Sequence, residues 1–266
     1  MALHLYPVTI RSVSPPIQCL LSRPTPEFRP AATILYFHGL NGTRNQIFQD
    51  RYLEFAEAVK ALGCNLLSLE LRAHGERRDK KETPAMENLI RIMNQKDENP
   101  FDGAVLDIKR TIEFIIEKQI AVPGGIGVCG LSWGALHAMY AMKLEYRVKC
   151  GVALLPVGRI SRLVEFRRLK NHALVQKYEP MQYLEKIAPK PLLMITADQD
   201  TRVDARDAGD LYEKLYPEYL EADAVDHLTY RMLLGATHAY DSRMTKLSMD
   251  WFRTHMLVEQ EGPTLD

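Results

Sequence analysis

Apolar positions along the chain change their spacing in a way that separates two kinds of element. Over the first 22 residues they alternate loosely, with Leu3, Leu5, Val8 and Ile10, then Ile17, Cys19 and Leu20 beyond Pro15 and Pro16. That pattern predicts two antiparallel strands joined by a turn. Pro24, Pro26 and Pro30 mark a loop. From residue 33 onward short β-rich apolar runs alternate with stretches of helical spacing. Strands are predicted at 33–37, 64–71, 125–129, 150–155, 191–196 and 227–234. Helices are predicted at 46–62, 101–119, 133–145, about 204–216 and 242–257. Strands alternating with helices predict an α/β fold, a mostly parallel sheet covered on both faces. Two segments, about 76–100 and 156–190, are too long for simple connections and are expected to be helical insertions over the C-terminal edge of the sheet. In open α/β sheets that edge is where ligands bind.

Between the strand at 125–129 and the helix at 133–145 stands Gly130-Leu131-Ser132-Trp133-Gly134. A GxSxG pattern in a strand–turn–helix context places the serine on a sharp, strained turn, and small residues two positions to either side let the chain pack that tightly. The same turn points the Trp133 N–H and the positive end of the helix at the place where an oxyanion would form. Ser132 is thus a candidate nucleophile and Trp133 a candidate oxyanion donor.

A serine hydroxyl needs a base to take its proton, and the base needs an acid to orient it. His238 follows the strand-like run ending at Leu234 and Gly235, so it leaves the sheet at the edge that holds the serine turn. His227 precedes that strand and is expected at the opposite edge. His137, His172 and His255 fall on a helix, an insertion and the last helix, where structural roles are expected. The strand at 191–196 opens into a loop with three aspartates, Asp198, Asp200 and Asp204. Asp204 suits the N-cap of the next helix, and spacing alone leaves Asp198 and Asp200 both open as the acid.

The order Ser132, an aspartate of that loop, then His238, with His38-Gly39-Leu40-Asn41-Gly42 after the first parallel strand, resembles the α/β-hydrolase superfamily. The likeness is strongest to its small dienelactone-hydrolase-like and prolyl-oligopeptidase-like serine esterases, and it runs over nearly the whole chain. It implies Asp200, followed by Val203, as the acid, although Ala197 replaces the usual glycine. It implies the Leu40 amide as the second oxyanion donor, with His38 as a scaffold that fixes the loop. Residues 70–77 resemble the family's DxRGHGxS segment, from which Glu70, Ala73 and Arg77 depart; Arg72 and His74 are then structural. A serine at position 132 favours ester, thioester or amide cleavage, since dienelactone hydrolases proper carry cysteine there and haloalkane dehalogenases aspartate.

Composition narrows this further. With 46% hydrophobic residues in 266, the chain can bury one substantial core, and a single domain over 1–266 is expected. Lysine plus arginine and aspartate plus glutamate both total 34, so no global field points to nucleic acid or an anionic membrane. The N-terminal sequence lacks the features of a leader and no stretch approaches a membrane span, which predicts a cytoplasmic protein. Cys19, Cys64, Cys129 and Cys150 lie in apolar runs without CxxC spacing and are expected in the core. No metal or organic cofactor is implied. The 156–190 insertion holds eight basic and three acidic residues, and Arg167 and Arg168 are candidate contacts for an anionic substrate group. The alternative is the solvated face of an amphipathic lid helix whose Leu163, Phe166, Leu169 and Leu174 face inward. The expected activity is hydrolysis of carboxylic esters of small to medium molecules through an acyl-enzyme. The alternatives are a thioesterase or acyltransferase with the same groups, or a ligand-binding protein on a hydrolase scaffold. Oligomeric state is not legible.

Overall fold

The computed structural model describes residues 3–11, 15–78, 83–94 and 99–257. Eight strands form one sheet: β1 (Leu5–Ile10), β2 (Ile17–Ser22), β3 (Ala31–Phe37), β4 (Asn65–Leu69), β5 (Ala121–Leu131), β6 (Cys150–Leu154), β7 (Leu192–Ala197) and β8 (Leu228–Leu233). Their spatial order is β1-β2-β4-β3-β5-β6-β7-β8. The β1–β2 and β2–β4 pairs are antiparallel and every other pair is parallel. Residues 12–14, which precede the Pro15-Pro16 pair where the turn of the first hairpin is expected, lie outside the described residues.

Because β3 is central and buried on both faces, it is a continuous apolar run whose alternate residues serve two cores. Leu35 and Phe37 face one core, with α3 (Pro100–Glu117), α4 (Trp133–Leu144) and α7 (Ala205–Glu221). Ile34 and Tyr36 face the other, with α1 (Leu53–Ala61) and α8 (Ser242–Phe252). All four cysteines are buried free thiols within these cores.

Some predicted helical segments come out differently and one does not. Residues 46–52 make two short 3-10 turns before α1 begins, separated by an extended Gln49, and the second opens on Asp50 at φ +48°. Ile47 and Phe48 are buried all the same, so apolar spacing there does not distinguish 3-10 from α. The 76–100 insertion holds α2 (Ala85–Met93), with residues 79–82 and 95–98 outside the described residues. The 156–190 insertion is no single amphipathic helix. It is 3-10 over Ile160–Arg162 and Val164–Leu169, then α5 (Ala173–Lys177) and α6 (Pro180–Tyr183). Leu163 is extended and Pro180 opens α6, so helical runs stay short. Finally, the last predicted helix turns π-helical over Arg253–Leu257. Among the described residues no helix is long and apolar enough to cross a membrane.

Candidate active site

Since β3 to β8 all run parallel, the segments that leave their C-terminal ends gather at one edge of the sheet. Residues 38–44 follow β3, 70–77 follow β4, Ser132 ends β5, 198–204 follow β7 and 234–241 follow β8. All the catalytic candidates therefore share one edge, while the Arg candidates lie in the insertion after β6.

Ser132 has φ +55° and ψ −114°, and its N–H donates to the Leu154 carbonyl of β6 at 2.8 Å. The two glycines explain how the turn is tolerated. A Cβ at Gly130 would overlap the Gly134 carbonyl, and one at Gly134 would overlap the Phe37 carbonyl at the end of β3. Backbone thus packs on backbone through the turn. The first amides of an α-helix have no partner inside the helix. Among the described residues no backbone carbonyl accepts from the amide of Trp133, nor from that of Leu40.

The segment after β3 runs alongside the serine, and a Cβ on Gly39 would lie 4.0 Å from that of Ser132. The Gly39 carbonyl accepts from the Gly42 N–H and from His38 Nδ1, both at 2.9 Å. In a trans peptide the N–H points opposite to the carbonyl, so these two bonds fix the direction of the Leu40 N–H. With Nδ1 donating, His38 Nε2 is the acceptor for the Leu71 N–H at 3.1 Å. His74 stands between two carbonyls, with Nε2 2.6 Å from Leu40 O and Nδ1 2.8 Å from Arg72 O, and a neutral ring donates to one of them. Burial pulls its pKa down to about 3, with His38 adding to the effect. His38 and His74 are scaffold for the loop, as expected from the sequence.

The loops after β7 and β8 are stitched together by main chain: Asp198 N–H donates to Leu233 O at 3.3 Å and Gln199 N–H to Ala236 O at 2.9 Å. That brings His238 Nδ1 to 2.7 Å from Asp200 Oδ2. The other oxygen, Oδ1, accepts from the Arg202 and Val203 amides, each at 2.9 Å. The Asp200 side chain is 2% exposed and that of His238 18%. Asp198 is exposed, and Asp204 caps α7 by accepting from the Arg206 N–H.

Four further histidines have other partners. His137 Nδ1 donates to the Trp133 carbonyl at 2.8 Å, and burial lowers its pKa to about 4. His172 accepts from the Leu174 N–H as the N-cap of α5. His227 donates to Pro189 O, ahead of β8, and His255 packs on Trp251.

Arg167 and Arg168 are both exposed on the 3-10 segment whose Phe166 is buried. Arg167 lines an open depression of about 670 Å³ beside Asp200 and Arg202, and Arg168 is not among its lining residues. Nor does the insertion's basic excess stand unopposed. Arg159 bonds Asp207 and Asp210 of α7, Arg162 bonds Asp207, and Lys177 bonds Asp102 of α3. Counting charge within the insertion alone leaves out these acids.

Two supports went unread in the sequence. One is a buried ionic cluster behind the loops, in which Asp107 of α3 meets Arg72 at 3.2 Å and Arg77 at 2.8 Å. Its signal was an aspartate on the apolar face of α3, between Ala104 and Ile108. The other is the Trp133 ring, stacked on Phe166 of the insertion at 5.3 Å and tilted against Phe101 of α3 at 6.1 Å. Among the described residues no group of three or more His, Cys, Asp and Glu side chains is disposed to hold a metal ion.

No protein-family model and no curated protein sequence matches the chain. Solved structures do. The chain is similar to the Thermus thermophilus protein TT1662, at 19% identity and a TM-score of 0.73 over 97% of this chain and 100% of that one. It is similar to the Pyrococcus furiosus esterase Pf2001, at 19% identity and a TM-score of 0.66 over 96% and 94%. The Pyrococcus horikoshii acylaminoacyl peptidase matches at 16% identity and a TM-score of 0.71, over 98% of this chain and 43% of the peptidase. At these identities the likeness is one of fold.

Proposed function

We propose that this chain, which has the α/β-hydrolase fold, is a serine hydrolase that cleaves carboxylic esters of small to medium molecules through an acyl-enzyme. The observation that carries this is the His238–Asp200 hydrogen bond of 2.7 Å, at the same sheet edge as a serine held at φ +55° at the head of α4. An esterase and an acylaminoacyl peptidase among the structural neighbours support acyl transfer as the chemistry.

Asp200 accepts the proton-bearing Nδ1 of His238, which leaves Nε2 with the free lone pair. Nε2 takes the Ser132 proton as the oxygen attacks the ester carbonyl. The charge that develops on the carbonyl oxygen is met by the Leu40 and Trp133 amides and by the positive end of α4. His238, now an imidazolium beside Asp200, returns the proton to the leaving alcohol. Water then attacks the acyl-serine by the same route, with His238 again as base. A pre-formed amide pair stabilises the intermediate without reorganising during the reaction, and each such donor is worth on the order of 10²–10³ in kcat.

Hydrolysis of p-nitrophenyl esters of increasing acyl length by the wild-type chain and by Ser132→Ala tests the proposal. Turnover that disappears in an equally folded mutant is expected. Equal rates for the two proteins on every ester would refute it.

A further inference from the structure

On the far flank of the sheet a groove of about 590 Å³ lies between the outer hairpin and the last turns of α3. Tyr6 and Val8 of β1, Leu21 of β2, Phe114 of α3, Phe28 and Ile120 line it. The lining is apolar apart from two cations, Arg23 and Lys118.

Arg23 is the unusual member. It is only 4% exposed. Its Nη2 donates to the Arg29 carbonyl at 2.8 Å, its guanidinium carbon lies 4.1 Å from the centre of the Phe28 ring, and its Nε is buried without an acceptor. Among the described residues no carboxylate pairs with it, and the neighbouring Glu27 is bonded to Arg29 at 2.8 Å. Burying a guanidinium without a counter-ion is costly, and a carboxylate is the planar partner that its donors match best. Lys118, exposed at the rim, adds a second positive charge. Phe28 is 63% exposed and Tyr6 38%, so apolar surface beside these cations faces solvent.

We infer that this groove binds a long-chain carboxylate, with the carboxylate on Arg23 and Lys118 and the alkyl chain against Val8, Leu21 and Phe114. The apolar lining sets the chain and the two cations set the sign of the head group. The site is independent of the chemistry proposed at Ser132.

Calorimetric titration of the full chain with dodecanoate below its micellar concentration tests this, with acetate and dodecyltrimethylammonium as probes of head and tail alone. Dodecanoate is expected to bind while acetate and the cationic amphiphile bind at least about tenfold more weakly. Arg23→Gln is expected to weaken dodecanoate by a similar factor. Tyr6→Glu and Lys118→Glu change exposed positions and carry the same expectation should Arg23→Gln fail to fold. Equal binding of dodecyltrimethylammonium would mean simple apolar adsorption. Unchanged dodecanoate affinity in Tyr6→Glu and Lys118→Glu would place the ligand elsewhere, the catalytic cleft included. Either result, or no binding to the wild-type chain, overturns the inference.

Discussion

At Ser132 a residue with a side chain is held where glycine would sit without strain, and such backbone costs on the order of 1–3 kcal/mol. The proposed role of its side chain as nucleophile accounts for keeping it. Ser132→Gly is therefore expected to abolish turnover while leaving the urea midpoint equal to or above that of the wild type; a clearly lower midpoint would show that the turn is unstrained. The proposed acid, Asp200, can be separated from its neighbour Asp198 in the same way. Asp200→Asn leaves the geometry nearly intact but can present an N–H to His238 Nδ1, which favours the wrong tautomer. A fall in kcat of about 10⁴ is expected, with little change in folding. Asp198→Asn, at an exposed position, is expected to leave kcat within a factor of about two. Comparable losses in both variants would contradict the assignment.

The elements between these residues explain how much of the architecture could be read in advance. Buried parallel strands such as 33–37 and 191–196 are short apolar runs bounded by breakers, and both were legible to within two residues. Helix α3 was legible from its long apolar periodicity, and α4, buried on every side from Trp133 to Met142, as a helix-forming run directly behind the serine turn. The 46–52 and 156–190 segments were not. Ile47, Phe48, Ile160 and Phe166 are buried there, but extended residues such as Gln49 and Leu163 cut the helices, and nothing in apolar spacing encodes that. The stack of Phe166 on Trp133 was equally invisible, because it joins segments 33 positions apart. It gives the insertion an anchor on the residue whose amide is proposed to hold the oxyanion. Phe166→Ala is expected to cost about 3–5 kcal/mol of stability, as for other buried aromatic truncations. It should also lower kcat, through a loosened Trp133, more than Arg167→Gln or Arg168→Gln does. A Phe166→Ala protein as stable and as active as the wild type would uncouple the insertion from the elbow.

Across the molecule, the 34 basic and 34 acidic residues balance, so response to pH is set by individual buried groups. His74 and His137 are held neutral by burial, with pKa values of about 3 and about 4 against an ordinary 6.5. On unfolding, both regain the higher value and take up protons. Their contribution to stability is complete above pH 6.5 and is lost as pH falls from there towards about 4 for His137 and about 3 for His74. Each is expected to remove on the order of 2 kcal/mol between pH 7 and pH 5, read from urea unfolding at the two values. His137→Gln should flatten that slope, and an unchanged slope would mean that His137 is not buried neutral. At this scale the candidate site was readable because chain order and sheet edge bring Ser132, the aspartate loop after β7 and His238 to one edge. What the sequence withheld was the choice between Asp198 and Asp200, which spacing left open and only the resemblance favoured. In the fold the main-chain stitching of 198–199 to 233–236 brings Asp200 to His238.

The most direct measurement is exposure of the wild-type chain and Asp200→Asn to a fluorophosphonate, followed by mass spectrometry of the digested protein. A single adduct on Ser132, formed much more slowly in Asp200→Asn, is the result expected of a nucleophile activated through His238. No adduct on Ser132, or labelling at the same rate in both proteins, would contradict the account.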